Sequence, residues 1–293
     1  MSPRRAVATI TVVFLIALVL PMVLALVVLA PALGVDTSTL QGAGFRITAA
    51  NMLVVLSFSL VSIGVVAAAW KYLHKRPQAE MGWGGEFWRC LVTGHLLGLG
   101  LAASSLAIRW IGFGFPTAQW AVPDDVGLAS LAGHYAFFWL ALLTLNSIKE
   151  EAVFRAYPLE ALRHQIGRWP VILVSALLFS AVHLVLEPPS LLAFASRTAF
   201  GILACQIYLQ RRSIWAAIGL HNGWNWLLLT TSGNWKVGGV LALEGPDTGS
   251  AGTLIHLAVQ LIAIVVLERW YSGAPDLDNA SPLIEAGRAR RPG

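Results

Sequence analysis

The chain has 293 residues, of which 57% are hydrophobic and only 12% are charged. Soluble domains carry about 25% charged residues, so this composition excludes an ordinary soluble domain. Together with apolar runs of about 20 residues, it predicts a polytopic helical membrane protein. The formal net charge is +5, but the basic residues lie at the ends of apolar runs, where membrane topology accounts for them without a nucleic-acid partner.

Eight apolar runs predict an all-α polytopic membrane protein with about eight transmembrane helices. In chain order the runs cover about residues 6–30, 49–70, 90–115, 131–159, 171–187, 191–210, 214–231 and 253–270. The first run exceeds the apolar core of a signal peptide, which has about 7–15 residues, so we predict an uncleaved first span. We divide the chain into three N-terminal spans at 1–120, a helical core at 121–271 and a disordered tail at 272–293.

The positive charges predict the orientation of these spans. Most of the 20 Lys and Arg residues lie on one side of the membrane if the N-terminus is inside. Examples are Arg4 and Arg5 before the first span, and Arg211 and Arg212 after the sixth. The positive-inside rule therefore predicts that both termini are cytoplasmic.

Five other residues in or near the spans carry weaker signals. We expect Arg109 and Arg197 to snorkel or to pair with acids near the outer face, with Glu187 as the candidate partner of Arg197. Cys90 and Cys205 lie within apolar runs or near cytoplasmic span ends, so we expect free, packed thiols and no disulfide.

A cluster of four charges, Lys149–Arg155, directly follows the uncharged stretch Tyr135–Ile148. Each charge near the centre of a membrane helix costs about 2.5–3.5 kcal/mol on insertion scales. Glu151 and Arg155 are four residues apart, so they share a helical face and are expected to form an ion pair. Glu150 is turned about 100° from Glu151 and is expected to face a cavity. The alternative is an interfacial cluster that ends a span.

Polar residues on two later spans lie at a matching depth. His183 lies in the fifth run, and His221 and Asn225 lie four residues apart on one face of the seventh. At about 1.5 Å per residue, these three and Glu150 lie ~10–18 Å from the predicted inner ends of their spans. We therefore predict one intramembrane active-site cavity that water can enter. The alternative is that these residues only make hydrogen bonds between helices, with Gly223 allowing close approach.

The three polar motifs together resemble those of the CPBP family. They are Glu150-Glu151-x-x-x-Arg155, Phe179-x-x-x-His183 and His221-x-x-x-Asn225. The family comprises the type II CAAX prenyl endopeptidases and related bacterial membrane proteases, including proteins linked to bacteriocin processing or immunity. The resemblance covers about residues 131–232 and implies that the core 121–271 is catalytic.

The resemblance implies a role for each motif residue. Glu150 would activate water for attack on a peptide carbonyl, and His183 would hold or polarise that water. His221 and Asn225 would stabilise the oxyanion. Structural support would come from Glu151, Arg155 and Phe179.

The resemblance also implies partners and a cofactor. The family is commonly described as metal-dependent, and His183, His221 and Glu150 are sufficient ligands for a catalytic Zn²⁺ with an open position. The residues leave both a metalloprotease and metal-free water activation open, and we favour the metalloprotease because a cation would offset the burial of Glu150. The implied substrate is a membrane-associated peptide, prenylated or of the bacteriocin type, in the bilayer of a bacterial plasma membrane. One alternative is a catalytically silent scaffold or immunity factor. Another is a proton-coupled transporter, but the sequence lacks the inverted repeats that many transporters have.

Overall fold

The computed structural model describes residues 3–37, 48–186, 190–235, 238–246 and 248–272, so most of the predicted tail at 272–293 and residue Glu187 lie outside it. The described residues form eight long helices, which confirms the all-α prediction. Helix α1 is Pro3–Val23, prolonged by a π-helical stretch Leu24–Leu29 and by Ala30–Ala32, and α2 is Ala49–Ala68, prolonged by the π-helical Ala69–Leu73. The others are α3 (Phe87–Phe113), α4 (Leu128–Ile166), α5 (Arg168–Leu186), α6 (Leu191–Arg211), α7 (Ile214–Thr230) and α8 (Ser250–Ser272).

Six of the eight helices, α1, α2, α3, α4, α6 and α8, are long and apolar enough to cross a membrane. The other two are α5, which carries Phe179 and His183, and α7, which carries His221 and Asn225. Helix α7 has 17 residues, which is about 26 Å and shorter than the ~30 Å hydrocarbon core. Nearly every residue from Ile214 to Trp224 is buried. Because other helices surround it, α7 need not match the thickness of the lipid.

Helix α4 changes its winding around the charged cluster. The α-helical segment Asn146–Glu151 lies between two π-helical stretches, Phe138–Leu145 and Ala152–Ala156. Such wider turns within α-helices are frequent at functional sites. The result is that the charged cluster sits at the most irregular part of the longest helix.

Helices α3 and α7 approach each other so closely that only glycine fits between them. A side-chain Cβ at Gly98 would overlap the carbonyl oxygen of Leu220, and one at Gly223 would overlap the carbonyl oxygen of His95. The expectation that Gly223 permits close approach is therefore confirmed. Small residues four apart allow such contact in membrane helices, where close backbone packing stabilises association. This contact determines where α7 places His221.

The close packing of α3 on α7 predicts a large difference between two glycines of α3. Gly98→Ala is expected to lower the free energy of unfolding by about 1–3 kcal/mol, because the methyl group must push the α7 backbone away. Gly100→Ala is the matched control, since a Cβ there meets no atom within 4 Å. The measurement is the thermal unfolding midpoint of each purified variant in the same detergent. Equal midpoints for the two variants would show that the contact is not tight.

A short antiparallel ribbon closes one end of the bundle. Strand β1 (Thr117–Trp120) follows α3 and pairs with β2 (Leu241–Glu244), which precedes α8. These strands were not predicted from the sequence. Each has four residues, and the paired residues Thr117 and Glu244 are 127 positions apart, so no local turn signal marks the strands.

Candidate active site

The predicted ion pair between Glu151 and Arg155 is present and completely buried. Arg155 Nε lies 3.3 Å from Glu151 Oε2, and neither side chain is exposed to solvent. The guanidinium also stacks 4.1 Å from the centroid of the Phe179 ring. A cation over an aromatic face is stabilised by the ring quadrupole. Phe179 on α5 thus contacts the α4 motif, as expected for a supporting residue.

Glu150 is held by two residues of its own helix. Its Oε1 accepts a hydrogen bond of 2.9 Å from Asn146 Nδ2 and lies 3.7 Å from Lys149 Nζ. Lys149 in turn donates to Asn146 Oδ1 at 2.5 Å and lies over the Phe58 ring of α2, 4.8 Å from its centroid. The side chains of Lys149 and Glu150 are only 12% and 13% exposed. The carboxylate therefore has a nearby positive charge and a restrained orientation.

The contributions of Asn146 and Lys149 were not predicted from the sequence. Lys149 was identified only as the first residue of the charged cluster, and Asn146 was not considered. The available signal was their spacing, since Asn146 lies three residues before Lys149 and four before Glu150, on one helical face.

His221 connects the two adjacent glutamates. Its Nδ1 lies 2.8 Å from Glu151 Oε1, and its Nε2 lies 3.7 Å from Glu150 Oε2. A carboxylate only accepts hydrogen bonds, so Nδ1 carries a proton and the neutral ring presents a lone pair on Nε2. The 3.7 Å separation is too long for a direct hydrogen bond. A water molecule beside both atoms can contact each of them.

His183 on α5 has the same tautomer. Its Nδ1 lies 2.8 Å from the Phe179 carbonyl oxygen, which can only accept, so the neutral ring again presents a lone pair on Nε2. The ring packs edge-on against the Phe179 ring at 4.7 Å. Both imidazoles, His183 and His221, are close enough to interact electrostatically with the Glu150 carboxylate. The structure therefore places His183 of α5 and His221 of α7 near Glu150 of α4.

Asn225 lies on α7 one turn beyond His221. It is half-buried, and no hydrogen bond joins its side chain to any residue within the described ranges, which leaves its amide available. The neighbouring Asn222 differs, because it is buried and donates to Thr144 Oγ1 on α4 at 3.2 Å. Asn222 thus links α7 to α4, while Asn225 is available to contact another molecule.

The predicted metal ligands are not assembled as a set. Within the part of the chain that the structure describes, no three His, Cys, Asp or Glu side chains are placed to hold a metal ion. The ammonium group of Lys149 also lies near Glu150 and would repel a cation bound to the same carboxylate. As placed, His183, His221 and Glu150 do not fit a three-ligand zinc site. The Zn²⁺ site remains a prediction from the family resemblance.

Comparison with known proteins supports the family resemblance. Residues 132–227, which include every site residue described above, match a family model described as type II CAAX prenyl endopeptidase Rce1-like. The match covers less than half of the 293 residues. No curated protein and no solved structure matches the chain. The match confirms the resemblance and supports a CAAX-type intramembrane protease at the level of the family.

Proposed function

We propose that the protein is an intramembrane endopeptidase in which the Glu150 carboxylate activates water to hydrolyse membrane-associated peptides. The observation that carries the proposal is the different environment of the two Glu150 oxygens. Oε1 is restrained by Asn146 and Lys149, while Oε2 faces the Nε2 lone pair of His221 across 3.7 Å. A general base must lie within hydrogen-bond reach of the proton that it removes, and Oε2 is the Glu150 oxygen that its own helix leaves available for this.

The first chemical step is addition of water to the peptide carbonyl. A water molecule beside Glu150 Oε2 and His221 Nε2 donates hydrogen bonds to both atoms, and the lone pair of His183 is available as a further acceptor. As the water oxygen forms a bond to the carbonyl carbon, Glu150 takes one of its protons. The carbonyl π-electrons move to the carbonyl oxygen, which becomes an oxyanion.

The second step breaks the peptide bond. The amide of Asn225 donates to the oxyanion, and one such donor typically contributes about 3–4 kcal/mol to transition-state stabilisation. The intermediate then collapses, the C–N bond breaks, and the leaving amine takes the proton from Glu150. His221 carries its proton on Nδ1, so its Nε2 can donate a hydrogen bond only if the ring takes a second proton. In this scheme the ring stays neutral and orients the water, and Asn225 donates to the oxyanion.

The proposed substrates are peptides that reach the site from the membrane, prenylated or of the bacteriocin type. Support comes from the position of the site among helices of membrane-spanning length and from the description of the matching family model. The test compares membrane peptides from cells carrying the wild type with those from cells carrying Glu150→Gln. Peptides with new termini should appear only with the wild type, and identical peptide profiles would refute the proposal.

The contact between Lys149 and Glu150 predicts that the lysine positions the base. Lys149→Met is expected to lower turnover about 10- to 100-fold, because small displacements of a catalytic group have effects of this size. Lys149→Arg should recover part of the activity, since it restores the positive charge. The measurement is turnover with substrate in excess, with the exposed Lys71→Met as the control. Full activity of Lys149→Met would contradict this role.

A further inference from the structure

A cavity of about 260 Å³ lies at the end of the bundle that the β1–β2 ribbon closes. It is separate from the candidate active site, since none of the residues around Glu150 lines it. The C-terminal ends of α3 and α7, the ribbon and the start of α8 enclose it. Its lining includes Leu106, Arg109, Phe113, Leu228, Thr248 and His256.

The described lining of this cavity contains one charged side chain, that of Arg109 on α3. His256 on α8 also lines it, and the arginine charge acts on the imidazole. No Asp or Glu is among the described lining residues. Across the described ranges Arg109 has no acidic partner, so the expected pairing with an acid is not seen there. His256 Nδ1 is buried and has no hydrogen-bond partner in those ranges. Arg109 therefore gives the cavity a positive charge that no described acid neutralises.

We propose that this cavity binds the phosphate group of a membrane lipid. A guanidinium presents a fork of N–H donors that matches phosphate oxygens, and a nearby imidazole adds a further donor. A bound phosphate would pair with the charge of Arg109, and the His256 ring, which also lines the cavity, would lie beside it.

The surroundings of the cavity favour a lipid over a free phosphate ion. Ile111 on α3 and Phe115 just beyond it are 77% and 76% exposed, which is typical of surface in contact with lipid chains. Trp110 lines the cavity near the end of the span, where interfacial aromatic residues lie at the level of lipid headgroups. The volume of about 260 Å³ is below the ~300 Å³ at which pockets for whole small molecules begin. A headgroup therefore fits inside while its acyl chains lie against α3.

The test measures lipid binding to the full chain by native mass spectrometry from detergent. The probes are phosphatidic acid and a diacylglycerol with the same acyl chains, which differ only by the phosphate. The wild type should bind phosphatidic acid at least about 10-fold more tightly, and Arg109→Gln should weaken that binding about 10- to 100-fold. Arg89→Gln is the matched control, because Arg89 lies at the opposite end of α3 and pairs with Glu86.

Three results would overturn the proposal. The first is equal binding of the two lipids, and the second is unchanged binding by Arg109→Gln. The third is inorganic phosphate binding as tightly as phosphatidic acid, which would assign the site to the free ion. Arg109→Lys should keep part of the affinity, which separates loss of charge from loss of folding. If Arg109→Gln is unfolded, His256→Leu serves as the second variant, and it should also weaken binding.

Discussion

Replacing Glu150 by glutamine is expected to lower turnover about 10²- to 10⁴-fold, the usual contribution of a general base. The glutamine keeps the shape of the side chain and a carbonyl oxygen that can accept from Asn146, but it cannot take a proton from water. The abundance of the protein should not change, because Lys149 keeps its contacts with Asn146 and the Phe58 ring. The measurements are turnover of the purified variant and its amount in the membrane.

The control for this substitution is Glu86→Gln, which removes an exposed carboxylate far along the chain from the motif. It should leave both turnover and abundance unchanged. A Glu150→Gln variant that is as active as the wild type would show that another group activates the water. A variant that is inactive only because it fails to accumulate would show that Glu150 is structural.

Replacing Arg155 by methionine is expected to destabilise the fold by about 3–5 kcal/mol. The Glu151 carboxylate is fully buried, and removing its partner leaves an uncompensated charge in the core. The measurements are the thermal unfolding midpoint and the amount of protein in the membrane. A midpoint equal to that of the wild type would refute the assignment of Arg155 as a structural partner.

A double variant separates the charge of this pair from its packing. Glu151→Gln combined with Arg155→Met should recover most of the lost stability, because it removes both buried charges at once. Buried ion pairs often contribute little beyond similar apolar residues. This pair fits that rule, since Arg155 has buried nitrogen atoms with no hydrogen-bond partner among the described residues. If the double variant is no more stable than Arg155→Met, the loss arises from packing against Phe179.

Glu151 links this stability to the chemistry. One of its oxygens pairs with Arg155 and the other accepts from His221 Nδ1. The buried pair on α4 therefore also holds the imidazole on α7 in the tautomer that presents Nε2 to Glu150. A glutamine at position 151 keeps an acceptor for His221, so the double variant tests stability with less disturbance of the ring.

Features within one helix could be predicted because α-helical periodicity is local. The four-residue spacing of Glu151 and Arg155 was sufficient to predict their ion pair, and the 100° step was sufficient to separate Glu150 from it. The apolar runs likewise located all eight helices, since a span must be apolar over the thickness of the bilayer. Asn146 and Lys149 obey the same periodicity. They were missed because a polar residue within a span is also typical of a hydrogen bond between helices.

Contacts between helices depended on the tertiary structure, because no local pattern encodes the distance between two helix axes. The hydrogen bond from His221 on α7 to Glu151 on α4 joins residues 70 positions apart, so the sequence of neither helix predicts it. Gly223 indicated a close approach, but only the fold showed that the partner is α3. Arg109 lies near the C-terminal end of α3 and His256 lies near the start of α8, far away in the sequence. They line one cavity only because the tertiary structure brings these two helix ends together.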